Sequence, residues 1–246
     1  MRICVIPVKE FQNAKARLSA LLSPEERAEL ALAMYQDVLD VALKTTYLAR
    51  ILVVSRDRVA LDIAERRGAL VFEEDGSHGQ SAAVELAAQI AYRLGASALL
   101  SLPIDVPLLT AADICALWSR LADLQSLHGA GASLAVMTPA RDGRGTNALL
   151  RCPPDSLKCR FGLDSLERHV WEATTHEVIY DLYENPRLAL DIDTPEDLMA
   201  FLAHGRPGRP SPAPMGSPDD LGNSSPAVAT RTYLALQAMG IWQRVY

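Results

Sequence analysis

The order of apolar and polar residues along the chain predicts short strands that alternate with longer helices. Apolar runs rich in β-branched residues predict strands at RICVIPV, RILVVS, ALVFEE, ALLSLPI and SLAVMT. Between these runs, apolar residues at helical spacing predict helices near residues 23–41, 57–67, 79–94 and 110–125. Strands that alternate with helices over this length favour an α/β domain with a mainly parallel sheet.

The pattern changes after residue 140. RDGRGTNALLRC predicts a loop and a strand, DSLERHVWEATT a helix, EVIYDLY and RLALDI two strands, and TPEDLMAFL a closing helix. Residues 1–203 are therefore assigned to one domain. Residues 204–226 are dense in Pro, Gly and Ser, which predicts a linker. The apolar residues 227–246 predict a helix that docks on the domain or on a partner chain, as in a homodimer.

Composition and charge exclude several classes of function. A chain of 246 residues that is 49% apolar can bury one substantial core. Its net charge of -6 disfavours binding to nucleic acid or to an anionic membrane. Because no apolar run is long enough for a membrane span or a signal peptide, we expect a cytoplasmic protein. The four cysteines match no zinc or redox spacing and predict reduced structural thiols.

Two carboxylates end the apolar run in LALDIDTPEDL. Thr194, Pro195 and Asp197 predict the capped start of a helix directly after this run. On a strand, Asp191 and Asp193 would share one face. Asp193 then lies closest to the turn and is the candidate for a structural role, whereas Asp191 is the candidate for chemistry.

A third carboxylate, Asp105, lies in a similar place. It follows the run ALLSLPI, and the neighbouring Pro103 and Pro107 predict that the strand ends there. Ligands of open parallel sheets bind beyond the carboxyl ends of the strands. Asp105 and Asp191 would suit Mg²⁺, which takes one or two protein carboxylates and the oxygens of a phosphate. Alternatively, both acids only cap loops.

The residues that could hold phosphate lie in loops. No Walker loop or GxGxxG motif is present. The first strand instead leads into PVKEFQNAKARLS, where Lys9, Lys15 and Arg17 either hold a triphosphate or form a solvated basic loop. Gly76 and Gly79, before a predicted helix, would let backbone N–H groups approach a ligand. The small and hydroxylated residues of GTN and RFGLDS, next to Arg160, suit a small phosphorylated acid, but they equally suit ordinary turns.

Five motifs together, in this order, resemble the 2-phospho-L-lactate guanylyltransferase family, which is MobA-like. They are IPVKEFQNAKARLSALLSPEER, LPIDVPLLT, GTNALL, RFGLDSLERH and LALDIDTPEDL. The resemblance covers residues 1 to about 203. It implies a Rossmann-like, three-layer α/β/α nucleotidyltransferase fold of the GT-A type with a mostly parallel central sheet.

The resemblance also implies an activity, an Mg²⁺ cofactor and a set of site residues. GMP would pass from GTP to 2-phospho-L-lactate, phosphoenolpyruvate or 3-phosphoglycerate with release of pyrophosphate, in biosynthesis of the deazaflavin coenzyme F-420. By motif, the implied residues are Asp105 and Asp191 for Mg²⁺; Lys9, Lys15 and Arg17 for the GTP phosphates; Gly79 and Ser81 for guanosine; and Thr146, Gly162 and Ser165 for the acceptor. The family often has Asn where this chain has Ser81, and a small residue in place of Ile104.

Two other functions are compatible with the same pattern. A molybdopterin or sugar-phosphate nucleotidyltransferase would share the fold, but such enzymes usually begin with an LAGG-type loop where this chain has IPVKEF. A catalytically idle binding subunit, with the terminal segment as a docking helix, would need none of the chemistry.

Overall fold

The computed structural model describes residues 1–75, 79–204 and 230–245. The strands are β1 Arg2–Val8, β2 Arg50–Ser55, β3 Leu70–Glu73, β4 Ala98–Ser101, β5 Leu134–Pro139, β6 Thr146–Cys152 and β7 Ile179–Leu182. The helices are α1 Pro24–Lys44, α2 Arg58–Arg66, α3 Gly79–Arg93, α4 Ala111–His128, α5 Ser165–Thr175, α6 Pro186–Ala189, α7 Pro195–His204, α8 Arg231–Ala238 and α9 Ile241–Val245. Two short 3₁₀ turns, Phe11–Asn13 and Ala16–Leu18, follow β1.

One sheet holds all of these strands, in the order β3-β2-β1-β4-β6-β5-β7. β1 pairs in parallel with β2 and β4, β2 with β3, and β5 with β7. β6 is antiparallel to both of its neighbours, β4 and β5. Consequently, β6 begins at the edge of the sheet where the parallel strands end.

Helices cover both faces of the sheet, because the strands are apolar on both sides. In β1, Cys4 and Ile6 face a core formed with α1, α4 and α7, whereas Ile3 and Val5 face a second core formed with α3. Two cores around a mostly parallel sheet make the three-layer α/β/α architecture, so the predicted fold is confirmed.

Most helix starts follow from local sequence. Ser23 and Glu26 form a capping box at α1, and Thr110 and Asp113 form one at α4. At α7, Thr194 Oγ1 accepts the backbone N–H of Asp197, and the Asp197 carboxylate accepts that of Thr194. The predicted cap of the closing helix is therefore confirmed.

The predicted strand RLALDI is wrong. Asn185 caps a short helix by accepting the backbone N–H groups of Arg187 and Leu188, and Pro186 occupies its first position. Helix α6 therefore replaces the first half of the strand, and residues 190–193 form no regular element. Every second residue is still buried there, and this alternation is the pattern that predicted a strand.

The terminal segment docks on the same chain. α8 packs against α1, and Leu236 of α8 and Ile241 of α9 are fully buried in the first core. The Asp37 carboxylate on α1 accepts the backbone N–H groups of Arg231 and Thr232 at 2.9 Å each. The homodimer stays a prediction, and the predicted linker, residues 204–226, lies outside the described residues except for His204 at the end of α7. Within the described ranges, no helix is long and apolar enough to cross a membrane.

Candidate active site

An open cavity of about 1100 Å³ lies at the carboxyl ends of β1 and β4 and at the start of β6. Of the residues proposed from sequence, it is lined by Lys9, Lys15, Arg17, Gly79, Asp105, Thr146, Gly162, Ser165 and Asp191. Ser81 lies in the first turn of α3 and does not line the cavity, although its neighbour Gln80 does. These nine residues come from six separate regions of the sequence, and the fold brings them together.

Lys15 is a buried cation in this cavity, and its side chain is only 6% exposed. Its ammonium lies 2.8 Å from Asp105 Oδ2 and 2.6 Å from Asp193 Oδ1. Burial alone would lower the pKa of Lys15, but the two carboxylates outweigh burial and raise it. Lys15 is therefore charged, and its backbone adopts the left-handed region with φ 53°.

Lys9 and Arg17 are the more accessible cations of the same loop. Both are exposed at the cavity and form no salt bridge with the described residues. Burial alone would raise the pKa of Asp193, but the positive charges of Lys15, Arg17 and Lys9 together lower it. These two side chains are therefore available to an anionic ligand. The alternative of a purely solvated basic loop does not describe Lys15, which is buried.

Asp191 is held in place by backbone and side-chain hydrogen bonds. The backbone N–H of the next residue, Ile192, donates to the carbonyl of Asp105 at 3.0 Å, so the two acidic segments lie against each other. Asn147 at the start of β6 donates to Asp191 Oδ1 at 3.0 Å, and also to the carbonyls of Leu188 and Ala189. Asn147 therefore fixes the position of a carboxylate that follows it by 44 residues.

The pKa of Asp191 is raised from its ordinary value of 3.8 to about 6. Burial is the main cause, and the negative charges of Asp105 and Asp193 add to it. Crowded carboxylates of this kind favour any cation that can bind between them.

Asp193 does not have the structural role expected from sequence. The cap of α7 uses the Asp197 carboxylate, to which the backbone N–H of Asp193 donates at 3.2 Å. The Asp193 carboxylate instead points into the cavity and pairs with Lys15. Its acidic character and its two-residue spacing from Asp191 were visible in the sequence, but its partner was not.

The residues proposed for the acceptor lie together at the other side of the cavity. Ser165 Oγ accepts the backbone N–H of Thr146 at 2.8 Å, and Thr146 Oγ1 lies 3.0 Å from His169 Nδ1. Gly162 lies in the loop before Ser165 and has φ +117°, a backbone conformation that residues with side chains rarely adopt. These contacts join the start of β6 to the start of α5.

Other cavity residues were placed less well from sequence. Asn147, in the motif GTNALL, was expected near a small acid, but its hydrogen bond to Asp191 was not visible in the sequence. Arg56, Arg141 and Arg144 also line the cavity, but an isolated arginine carries no pattern. In contrast, Arg160, expected beside the acceptor, pairs with Glu172 and is not among the residues that line the cavity. Gly76 lies outside the described residues.

The carboxylates fit a hard cation that completes its coordination with substrate oxygens. Within the described residues, no group of three His, Cys, Asp or Glu side chains is arranged to hold a metal ion by itself. Mg²⁺ needs only one or two protein carboxylates, because it keeps water and phosphate oxygens as its other ligands. Asp105 and Asp191 line one cavity, and the charge of Asp105 contributes to the raised pKa of Asp191.

Comparisons with known sequences identify relatives with one type of activity. The family described as "Guanylyl transferase CofC like" matches residues 1–210. A phosphoenolpyruvate guanylyltransferase of Rubrobacter xylanophilus is 41% identical over 201 residues, covering 82% of this chain and 93% of the relative. A phosphoenolpyruvate guanylyltransferase of Conexibacter woesei is 39% identical over 197 residues, covering 80% of this chain and 85% of the relative. A 2-phospho-L-lactate guanylyltransferase of Methanothermobacter thermautotrophicus is 35% identical over 206 residues, covering 83% and 86%.

Solved structures share the fold. A Desulfovibrio desulfuricans protein assigned to the nucleotide-diphospho-sugar transferases has a TM-score of 0.71 at 17% identity, covering 99% of this chain and 97% of that protein. A nucleotidyl transferase of Methanothermobacter has a TM-score of 0.56 at 14% identity, covering 83% and 97%. At these identities the likeness supports the fold alone.

Proposed function

This chain belongs to the family of CofC-like guanylyl transferases, and from that premise we propose that it transfers GMP from GTP to phosphoenolpyruvate with release of pyrophosphate. Phosphoenolpyruvate is the first choice because the relatives that are 41% and 39% identical carry that acceptor in their names. 2-Phospho-L-lactate is the second choice, from the relative that is 35% identical. The product would enter biosynthesis of the deazaflavin coenzyme F-420.

The main support for this proposal is that three groups of residues line one cavity. Accessible cations from the loop after β1, carboxylates at the ends of two segments, and paired hydroxyls at the start of β6 and α5 all line it. Guanylyl transfer needs these three parts: charge neutralisation for a triphosphate, a metal position, and a place for a small anion.

The reaction requires the protein to position the two substrates and to neutralise their negative charge. An oxygen of the acceptor phosphate would attack the α-phosphorus of GTP, and pyrophosphate would leave on the opposite side. That oxygen is already ionised at neutral pH, so no protein nucleophile or general base is required. Two anions must meet, so Lys9, Lys15 and Arg17 would neutralise the triphosphate. Mg²⁺ on Asp105 and Asp191 would add positive charge at the phosphates.

Lys15 would change partners when the substrates bind. Without a ligand, its ammonium satisfies Asp105 and Asp193. A divalent cation on Asp105 and Asp191 would compete with Lys15 for Asp105 and repel its ammonium, which would then be free to pair with a phosphate oxygen of GTP. Lys15 would therefore keep the acidic cluster neutralised in the empty enzyme and contribute to phosphate binding in the loaded one.

The test is product formation with purified protein. GTP, Mg²⁺ and one of phosphoenolpyruvate, 2-phospho-L-lactate or 3-phosphoglycerate are incubated, and mass spectrometry looks for the guanylylated acid. We expect product with phosphoenolpyruvate, and loss of at least about 100-fold in rate for Asp105→Asn. Asp123→Asn, which changes an exposed acid on α4, serves as the matched control.

Absence of product with all three acids would overturn the proposed function. Faster transfer from ATP or CTP would overturn the choice of nucleotide only. Unchanged turnover by Asp105→Asn would show that this carboxylate is not part of the chemistry.

A further inference from the structure

His169 lies directly behind the hydroxyls proposed for the acceptor, on α5, and it is fully buried. Its Nδ1 is 3.0 Å from Thr146 Oγ1, and its Nε2 is 2.8 Å from the backbone nitrogen of Arg160. Phe161, which lines the cavity, packs edge-on against the imidazole at 5.0 Å between ring centroids. One side chain therefore ties the start of β6 to the loop that carries Gly162.

The partners of the ring determine where its proton lies. A backbone N–H can only donate, so Nε2 must accept from Arg160 and must carry no proton. Burial, followed by the positive charges of Arg151 and Arg160, lowers the pKa of His169 to about 4, so the ring is neutral at pH 7. Its single proton is therefore on Nδ1, from which it is donated to Thr146 Oγ1.

This tautomer determines whether the Thr146 hydroxyl can donate a hydrogen bond to a ligand in the cavity. Because Oγ1 accepts from His169, its own hydrogen is free to be donated elsewhere. Ser165 is in the same position, since its Oγ accepts the backbone N–H of Thr146 at 2.8 Å. Among the described residues, neither hydroxyl donates its hydrogen to another group, and both residues line the cavity.

The opposite tautomer would have the opposite effect. With the proton on Nε2, His169 would clash with the Arg160 N–H, and Nδ1 would accept the Thr146 hydroxyl hydrogen. Thr146 would then present only lone pairs to the cavity, which repel an anion.

We propose that His169 is a positioning residue that makes the Thr146 hydroxyl a hydrogen-bond donor to an anionic oxygen of the acceptor. The inference rests on the proposed function, because it assumes that a phosphorylated acid binds beside Thr146 and Ser165. His169 does not touch that acid; it acts through Thr146, and its hydrogen bond from the Arg160 backbone fixes the tautomer that makes this possible.

The first test needs no substrate. ¹⁵N NMR of histidine-labelled protein at pH 7 reports which ring nitrogen of each histidine carries a proton, and the His169→Gln variant assigns the signal. We expect His169 protonated on Nδ1 and unprotonated on Nε2. A proton on Nε2 would overturn the inference, whatever the activity of the enzyme.

The second test separates positioning from packing by a double-mutant cycle. His169→Phe keeps a ring but removes both hydrogen bonds, and Thr146→Val keeps the shape but removes the hydroxyl. We expect each change to lower kcat/KM for the acceptor by roughly tenfold or more, with the KM for GTP nearly unchanged. The double variant should be no worse than the less active single variant, because His169→Phe removes the group that orients the Thr146 hydroxyl and Thr146→Val removes that hydroxyl itself, so both changes act on one contact. Thr146→Ser, which keeps the hydroxyl, should retain most activity.

Multiplicative effects of the two changes would overturn the inference, since His169 would then act independently of Thr146. If His169→Phe fails to fold, His169→Leu, which also removes both hydrogen bonds, takes its place in the cycle. Wild-type turnover tests the proposed function separately. Should wild type show none, calorimetric binding of phosphoenolpyruvate to wild type and to the Thr146→Val and His169 variants supplies the cycle, and binding unaffected by His169 would overturn the inference.

Discussion

At the scale of single residues, Asp191 and Asp193 lie two positions apart but are affected by their surroundings in opposite ways. Burial and the neighbouring carboxylates raise the pKa of Asp191 to about 6. Lys15, with help from Arg17 and Lys9, outweighs the effect of burial and lowers the pKa of Asp193. One charge therefore costs stability in the empty protein, and the other contributes it.

Asp191→Asn should stabilise the protein at pH 7.5. The raised pKa favours the protonated folded state, so wild type loses stability as pH rises from about 4 through about 6. A rise in pKa from 3.8 to about 6 corresponds to about 3 kcal/mol, which the variant would recover at pH 7.5 but not at pH 4. Urea denaturation in EDTA at both pH values measures the difference.

Asp193→Asn is the matched comparison, and the sign is reversed. The lowered pKa of Asp193 contributes stability above its ordinary value of 3.8, and that contribution is lost as pH falls through the folded-state pKa. The variant should therefore be less stable than wild type at pH 7.5. Equal effects of both substitutions at that pH would contradict the different environments described for the two acids.

Lys15→Met should destabilise the metal-free protein by about 1–3 kcal/mol, because two partly buried carboxylates lose their cation. Added Mg²⁺ should restore part of that stability, since the proposed metal position includes Asp105, one of the two carboxylates that lose Lys15. Urea denaturation with EDTA or with Mg²⁺ measures both effects. Lys158→Met, which changes an exposed lysine, is the control and should respond to neither condition. Equal stability of Lys15→Met and wild type in EDTA would show that the ion pairs contribute nothing.

At the scale of elements, the attachment of α8 depends on one carboxylate. Asp37 is 8% exposed and accepts two backbone N–H groups and the Thr232 hydroxyl at the start of that helix. Asp37→Ala would leave these donors without an acceptor, at a cost of about 2–4 kcal/mol to docking of α8 and α9. Hydrogen exchange in residues 231–245 should accelerate, and this segment should become sensitive to protease.

Asp40→Ala is the control for that change. Asp40 also meets Arg231, but only through an exposed guanidinium, so its loss should have a smaller effect on exchange. Slow exchange in residues 231–245 of Asp37→Ala would mean that apolar contacts such as those of Leu236 and Ile241 hold the segment without the carboxylate.

Elements were predicted from sequence wherever their signal is local. The strands and the capped helices follow from spacing and from residues such as Ser23, Glu26 and Thr110. RLALDI failed because alternate burial of Leu188, Leu190 and Ile192 also occurs in an irregular segment. The pairing of Lys15 with Asp105 spans 90 residues, and that with Asp193 spans 178, so only the folded chain could show them. No sequence pattern marks His169, because its contact with Thr146 spans 23 residues and forms only in the folded chain.

At the scale of the whole molecule, substrate binding should appear as added stability. A ligand at 100 times its Kd adds about 2.7 kcal/mol, which is a rise in Tm of roughly 5–10 °C for a chain of this size. We expect GTP to raise Tm in this way only when Mg²⁺ is present. Differential scanning calorimetry with and without EDTA measures the shift, and Asp105→Asn should lose most of it. An equal shift in EDTA would exclude a metal-dependent mode of GTP binding.

The reversed direction of β6 has a consequence for how this chain could be altered. The residues expected to hold the nucleotide come from β1 to β4, whereas those expected to hold the acceptor come from the β5–β6 hairpin and α5. The two sets lie in successive stretches of the gene, and they meet along the junction of β4 and β6. Exchanging residues 134–175 for the matching stretch of a relative that keeps Asn147, which holds Asp191, would therefore transfer acceptor choice while leaving the residues of β1 to β4 unchanged.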